Sequence, residues 1–267
     1  ELRAESRQLD IDMHVDWHHD EHLLSMAFPF DVRTDTAACD VQFGVTHRPT
    51  HPSSPWDAAK FEVCAHRYVS LAEPSFGVAV LNNGRYGHAI FDGAIRVSLA
   101  RAAKYPDPDA DHGHHRVRLA IAPHDGDLAT VRAAAERLNR PLDLAVEPIA
   151  DVDPGNAADP EPIITITGGD GRPALGVEVD AIKLADDAPD AGGGDLIVRL
   201  HEAVGDRTRI MLSTPTRIGA AWYCDLMEQP ERGEEVGDGV VAMTLRPFQL
   251  VTLRLRPAPD FDGRTPT

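Results

Sequence analysis

"LDIDMHVDWH", residues 9–18, alternates apolar and polar side chains without a break. Successive residues of a strand point to opposite faces. Leu9, Ile11, Met13, Val15 and Trp17 therefore share one side, and the Asp and His residues share the other. A helix would need its apolar residues three and four apart, so this stretch predicts a half-buried β-strand. Working outward, "ACDVQFGV" (38–45), "KFEVCAHRYV" (60–69), "FGVAVLNN" (76–83), "AIRVSLAR" (94–101) and "HRVRLAIAPH" (115–124) repeat the theme. Clusters of Gly, Pro, Asn and Asp separate them and mark turns. Asn83-Gly84 is the dipeptide that supplies positive φ angles in a tight hairpin, which predicts pairing of its two flanks.

One stretch breaks the pattern. In "DGDLATVRAAAERLNRP" (125–141), Asp127 can cap, and Leu128, Val131, Ala134, Ala135 and Leu138 recur at helical spacing before Pro141. It predicts one short helix, packed across a sheet edge or a domain junction. "EPIADVDPGNAADPEP" (147–162) has little to bury and reads as a linker or long loop. Strands resume in "IITITG" (163–168), "GVEVDAIKLA" (176–185), "DLIVRLHEAVG" (195–205), "TRIMLSTPTRIGAAWYCDLMEQP" (208–230), "VVAMTLRP" (240–247) and "FQLVTLRLRP" (248–257). The fold class expected is all-β. A large antiparallel β-sandwich occupies 1–149, a linker 150–162, a smaller C-terminal β-sandwich 163–257 and a flexible tail 258–267. Trp222, Tyr223 and Phe248 are expected in the core of the smaller sandwich.

Hydrophobic residues make up 42% of the chain and charged residues 26%, which excludes wholesale disorder. A formal net charge of −17 repels phosphate backbones and argues against nucleic acid, while neutral sugars meet no such penalty. Cys39, Cys64 and Cys224 are isolated, which fits neither a disulfide framework nor a zinc ribbon and points to a reducing cytoplasm. No apolar run approaches the roughly 18 residues needed to cross a bilayer. The opening "ELRAESRQLDID" has no signal-peptide pattern and no Met, so the chain is expected to be an N-terminally truncated piece.

Chemical signals are weaker. His14, His18 and His22 are spaced to converge on a helix, but on a strand His14 and His18 stand about 13 Å apart and cannot share one zinc. Solvated or hydrogen-bonded histidines are the simpler reading. "DPDADHG" (107–113) opens like a calcium loop, yet His112 stands where glycine is needed and Arg118 where glutamate is needed. Phosphate loops, G-x-S-x-G elbows and H-E-x-x-H pairs do not occur. "RPTHPSSPWDAAKFEV" (48–63) forbids regular structure and then sets Trp56 beside Asp57, which suits a stiff connector or a binding surface.

Motif order adds a resemblance. "VDWHHDEHLLSMAFPFDV" (15–32), "VQFGVTHRPTHPSSPWDAAKFEVCAHRYVSLAE" (41–73) and "GVAVLNNGRYGHAIFDGAIRVSLARAAKYPDPDADHGHHRVRLAIAPH" (77–124) are followed by "LIVRLHEAVG", "WYCDLMEQP" and "LRPFQLVTLRLRP". Together, over residues 9–257, they resemble the C-terminal region of glycoside hydrolase family 38 α-mannosidases, in the cytosolic, vacuolar and bacterial branch. The resemblance implies a galactose-mutarotase-like supersandwich followed by the smaller one. It implies release of terminal α-linked mannose with retention, through an aspartate nucleophile and a divalent metal, usually zinc. Both belong to an N-terminal catalytic domain, so no catalytic or metal residue is expected here and the chain alone is expected to be inactive.

Relatives complete the pocket wall with a tyrosine and an arginine from the sandwich. By resemblance, Tyr86, Arg101, Asp109, Asp111 and His114 are the expected substrate contacts; the alternatives are a core or hairpin-packing role for Tyr86 and a salt bridge from Arg101 to the 107–111 loop. Trp56 and Asp57 are expected at the domain interface or stacked on sugar. Expected partners are the N-terminal catalytic domain of the same polypeptide, a mannoside or oligosaccharide, and possible further copies of the chain. A free-standing carbohydrate-binding or assembly module is the rival reading.

Overall fold

In the computed structural model the alternating run at the start of the chain is strand β1 (Leu9–Trp17), in which Ile11, Met13, Val15 and Trp17 are half-buried while Asp12, His14 and Asp16 face solvent. Residues 1, 2, 4, 6–140, 162–188 and 194–259 are described, and the chain divides into two units, Glu1–Leu142 and Asp143–Thr267. The expected linker 150–162 lies outside the described residues except for Pro162, and the expected tail lies outside them beyond Pro259.

The first unit is a pair of antiparallel sheets. The larger runs in the order β1, β10 (Gly113–His124), β7 (Phe76–Asn82), β6 (Tyr68–Glu73), β3 (Thr36–Val41), β4 (Gly44–Pro49). The smaller runs β2 (Leu24–Pro29), β9 (Ala94–Ala100), β8 (Gly87–Phe91), β5 (Val63–Cys64). Phe28, Ile90, Ile95, Val97 and Leu99 of the small sheet share one core with Val69, Leu71, Val78, Val80, Val117 and Leu119 of the large one. The opposite face of the large sheet takes helix α2 (Leu128–Asn139), whose Val131, Ala134, Ala135 and Leu138 pack on Tyr68, Ala79, Leu81, Ala120 and Ala122. The helix thus covers a sheet face, not an edge or a junction as expected. A sheet buried on both sides cannot alternate, which is why β6 and β7 read as nearly continuous apolar runs. Asp127 caps α2 by accepting from Ala129 N at 2.8 Å. Arg67 then clasps it to the sheet, with Nε and Nη2 2.9 and 3.1 Å from the Asp40 carboxylate and Nη1 2.7 Å from Glu136.

Local readings needed correction where the chain changes sheets. Asn83-Gly84 does not close a hairpin: β7 ends in the large sheet and β8 begins in the small one. Asn82, fully buried, builds this crossover by accepting from Gly84 N (3.0 Å) and Arg85 N (2.7 Å), and only Gly84 of the pair has a positive φ, at 99°. In the first unit a positive-φ hairpin falls instead at Asp92-Gly93, at 53° and 71°, joining β8 to β9. The run at 38–45 breaks into β3 and β4 around Phe43 (φ 54°), and the run at 60–69 supplies only β5 and the start of β6. A second helix, the single turn α1 (Pro55–Ala58), sits inside the proline-rich stretch; Ser54 caps it and Pro55 opens it.

The second unit is also a two-sheet antiparallel sandwich. One sheet is β11 (Thr165–Gly168), β14 (Thr208–Ser213), β18 (Val240–Leu245), β17 (Val236–Gly237). The other is β12 (Val177–Leu184), β13 (Leu196–Glu202), β19 (Leu250–Pro257), β15 (Ile218–Cys224), β16 (Pro230–Glu234). Val198, Leu200, Leu253 and Leu255 meet Ile210, Leu212, Val241, Met243 and Leu245. Tyr223 packs against this core, as expected, and its hydroxyl reaches Met243 Sδ at 3.7 Å. Trp222 and Phe248 do not join it. Trp222 alternates to the other face of β15, where the Arg256 guanidinium lies 4.8 Å from its ring. Phe248 is 41% exposed and covers Gly205, where a Cβ would stand 2.7 Å from its ring. Among the described residues no helix is long and apolar enough to cross a membrane, which says nothing of a β-barrel.

Candidate functional site

Two places in the first unit gather the residues singled out by sequence. The first is the end where β1 leads to β2 and β9 leads to β10. Trp17 pairs with Gly113 and Leu24 with Ala100, so the two connections leave the sandwich side by side. They are bolted together. Glu21 N donates to Ala102 O at 2.8 Å, and Lys104 Nζ meets Asp20 Oδ2 at 2.6 Å. His112 Nε2 stands 2.9 Å from Asp20 Oδ1, close enough for charge pairing but not aligned as a hydrogen bond. Asp111 accepts from the backbone N–H of Arg101 (2.7 Å) and of Ala102 (3.0 Å). Those two donors hold its carboxyl below the usual range and keep it ionised.

This end carries five of the expected contacts in unequal roles. Asp111 is engaged in holding the loop. The backbone N–H of Arg101, not its guanidinium, meets Asp111, which corrects the expected salt bridge; the Arg101 side chain is left exposed. Asp109 is exposed and 3.9 Å from His112, and exposed His114 lies 3.5 Å from Asp16. Tyr86 is 56% exposed on the crossover turn, its ring 5.0 Å from that of His66, and the charge of neighbouring Arg85 reaches Asp111. Asp20 and Lys104, which sequence reading passed over, do much of the bolting; their positions carry no local signal because the pair forms only across two loops.

The histidines do not make a metal centre. His18 pairs with Asp16 at 2.7 Å, His22 Nδ1 lies 2.6 Å from the Asp20 carbonyl, and His14 stands 3.8 Å from Asp12. Among the described residues no group of three His, Cys, Asp or Glu side chains is placed to hold a metal ion.

Trp56 and Asp57 lie elsewhere. The α1 loop leaves β4 at Pro49, next to Arg48, whose level in the large sheet runs Ala37, Leu71, Val78, Pro123. Pro123 and Gly113 are ten positions apart on β10, roughly 33 Å at strand rise. The loop then returns to the small sheet, where Glu62 accepts from Ser98 Oγ, three residues before Arg101, and Val63 pairs with His88, two residues after Tyr86. Trp56 is 82% exposed, whereas Asp57 turns back to accept from Ser54 Oγ (2.6 Å) and to pair with Lys60 (3.2 Å). Those two partners hold its carboxyl below the usual range. Asp57 and Lys60 form part of the wall of a hollow of about 90 Å³ between the edges of the two sheets, lined also by Arg48 and His88.

Two antiparallel sandwiches in succession do not by themselves define a function, which must be argued from sites and relatives. The model of the glycosyl hydrolases family 38 C-terminal domain matches residues 1–109, and that of the glycosyl hydrolases family 38 C-terminal beta sandwich domain matches residues 176–253. The chain belongs to this family, of which it carries the C-terminal β-sandwich region. It is 36% identical over 246 residues to alpha-mannosidase 2C1 of Homo sapiens, covering 90% of this chain and 22% of that one. The alpha-mannosidase of Saccharomyces cerevisiae is 30% identical over 272 residues, covering 94% and 24%. The chain thus spans about a quarter of the length of these relatives. Among solved structures, a family 38 protein from Enterococcus faecalis superposes with a TM-score of 0.73 at 21% identity, over 94% of this chain and 28% of that one, a likeness of fold.

Proposed function

We propose that the chain is the non-catalytic C-terminal part of a retaining α-mannosidase that hydrolyses terminal α-linked mannose, serving as scaffold and as part of the sugar-pocket wall. The observation that carries this reading is the pair of family matches, one on each unit and in family order. Relatives named alpha-mannosidases along nearly the whole chain support it. A wall needs side chains held in place before the substrate arrives. The bolted loop end offers that: Asp111 fixes the backbone from which the Arg101 side chain projects, and Tyr86 sits on a turn braced by Asn82. Exposed Trp56 suits contact with a catalytic domain in the same polypeptide. The nucleophile and a divalent metal, expected to be zinc, are assigned to that domain. The described residues here offer no ligand set for such a metal, and no step is routed through one. Three free cysteines are consistent with a reducing compartment.

The test is an assay of mannose release from an α-mannoside by the purified 267-residue chain, beside the longer polypeptide encoded by the open reading frame. The chain alone is expected to be inactive and the longer product active. Turnover by the chain alone would overturn the reading, and a start codon just before Glu1 would favour a free-standing module.

A further inference from the structure

The hollow beside α1 contains two polar atoms that the fold leaves unanswered. Arg48 pairs with core residue Ala37, so its side chain leans inward from the edge strand β4. Its Nη2 donates to the Cys64 carbonyl of β5 at 3.1 Å, tying the two sheets together at their open edge, while its Nε is buried with no hydrogen-bond partner among the described residues. His88 enters from β8 and is 0% exposed. Its Nδ1 lies 3.1 Å from the Tyr86 carbonyl, which can only accept, so Nδ1 carries the proton and Nε2 presents a lone pair. That Nε2 is also buried and without a partner among the described residues. Burial pushes the imidazole below its ordinary range, so the neutral ring persists at neutral pH. One wall thus supplies a donor lacking an acceptor and the other an acceptor lacking a donor, although buried polar atoms are nearly always satisfied.

The chemistry that answers both is a hydroxyl. It gives its proton to Nε2 and receives one from the Arg48 Nε–H. A simple anion satisfies only Arg48; it faces the Nε2 lone pair and the ionised Asp57 carboxylate in the same hollow. A metal ion lacks a third ligand. The remaining wall includes Val63, Ile90 and Phe91, an apolar lining that suits the C–H face of a polyol, and the size matches one small polar group or about three waters. We propose that this hollow takes one hydroxyl-bearing arm of a ligand of the polyol or saccharide class, seated between His88 and Arg48 with the rest of the ligand at its mouth. The hollow adjoins the Tyr86 turn, whose carbonyl faces His88 Nδ1, and the proposal stands whether or not the chain serves a mannosidase.

The test is ¹⁵N NMR of the histidine-labelled 267-residue chain, titrated with glycerol, methyl α-mannopyranoside and, separately, inorganic phosphate. The His88 resonance is assigned by its loss in His88→Gln, because His22 and His201 also set Nδ1 against an acceptor; buried His124 differs, its Nδ1 accepting from Gly126 N at 3.1 Å. The His88 Nε2 signal is expected to move saturably with glycerol or the mannoside, with a dissociation constant of the order of 1 mM. Arg48→Met is expected to weaken that binding at least tenfold. No saturable movement up to about 100 mM polyol, some hundredfold above that constant, would reduce the hollow to a water site and overturn the proposal. So would movement with phosphate but not with either polyol. Where Arg48→Met unfolds the chain, the titration of the unsubstituted protein decides alone.

Discussion

The two sandwiches place their charged pairs differently. In the second unit charge is neutralised internally. Asp195 is gripped by Arg254 (2.6 Å) and Arg256 (2.9 Å), and nearly buried Glu228 by Lys183 (2.6 Å), with a further bond from Asp186 N (2.9 Å). Arg256 holds the Asp195 carboxyl, and Lys183 the Glu228 carboxyl, below the usual range. In the first unit the Arg67 clasp works this way, while further pairs, Lys104 with Asp20, Lys60 with Asp57 and Arg116 with Asp12, lie on its more exposed loops and edge strand. Twelve of the thirteen histidines lie there. Buried polar atoms without a hydrogen-bond partner among the described residues occur in both units, among them Arg48 Nε and His88 Nε2 in the first and Arg199 Nε in the second.

This contrast can be broken most forcefully at Arg67. Arg67→Ala strands Asp40, which is 2% exposed, and frees Glu136 of α2. A loss of about 3 kcal/mol or more is expected. Urea unfolding followed by peptide-resolved hydrogen exchange should show the loss in the first unit with the second unmoved; an equal fall in both would mean that the units are not independent.

Acid comes next. Burial depresses the imidazoles of both His88 and His124 in the folded chain. Their neutral forms contribute stability that is fully present above the unfolded value near 6.5 and is lost as pH falls below it. Each adds a slope of at most about 1.4 kcal/mol per pH unit. Lowering pH from 7.5 to 5.5 should lower the first unit's urea midpoint, and His124→Gln should flatten the slope. A midpoint that rises on acidification would contradict the burial of both rings.

Trp56→Ala is expected to change chain stability by less than about 0.5 kcal/mol, because the indole packs on little within its own unit. A larger loss in the same unfolding measurement would move Trp56 from the outward-facing set to the structural one.

How much of this was legible in the sequence depended on whether the signal was local. Alternation in β1 and helical spacing with a cap in α2 each arise within one element, and both were readable. Asn83-Gly84 announces a sharp turn, but whether its flanks pair depends on where they go, and Asn82 sends them to different sheets. Asp92-Gly93 carried the hairpin signal in plain view. So did Ser54-Pro55 for α1, a cap followed by a residue preset for a helix's first position. Trp222 and Phe248 were misplaced because aromatic bulk suggests a core, while strand parity and the need to cover Gly205 place them outside it. At the candidate sites, the Arg101 salt bridge expected from sequence is replaced by a backbone contact, Arg101 N to Asp111. His88 was invisible: along the chain it occupies an inward slot like any core residue, and its unanswered nitrogen exists only in three dimensions.

The ladder between β1 and β10 has a consequence for biosynthesis. β1 leaves the ribosome among the first residues of this region, and its partner is the last strand of the same unit. At about 5–20 residues per second it waits on the order of 5–20 s for β10 to emerge. During that interval a regular, half-apolar strand could zip onto a neighbouring nascent chain. Its alternate positions, Asp10, Asp12, His14 and Asp16, make such a pairing repulsive, since identical strands would set acidic side chains against one another. Once β10 arrives, its Arg116 meets Asp12 at 2.7 Å, and the same acidic row that kept copies apart selects the correct partner.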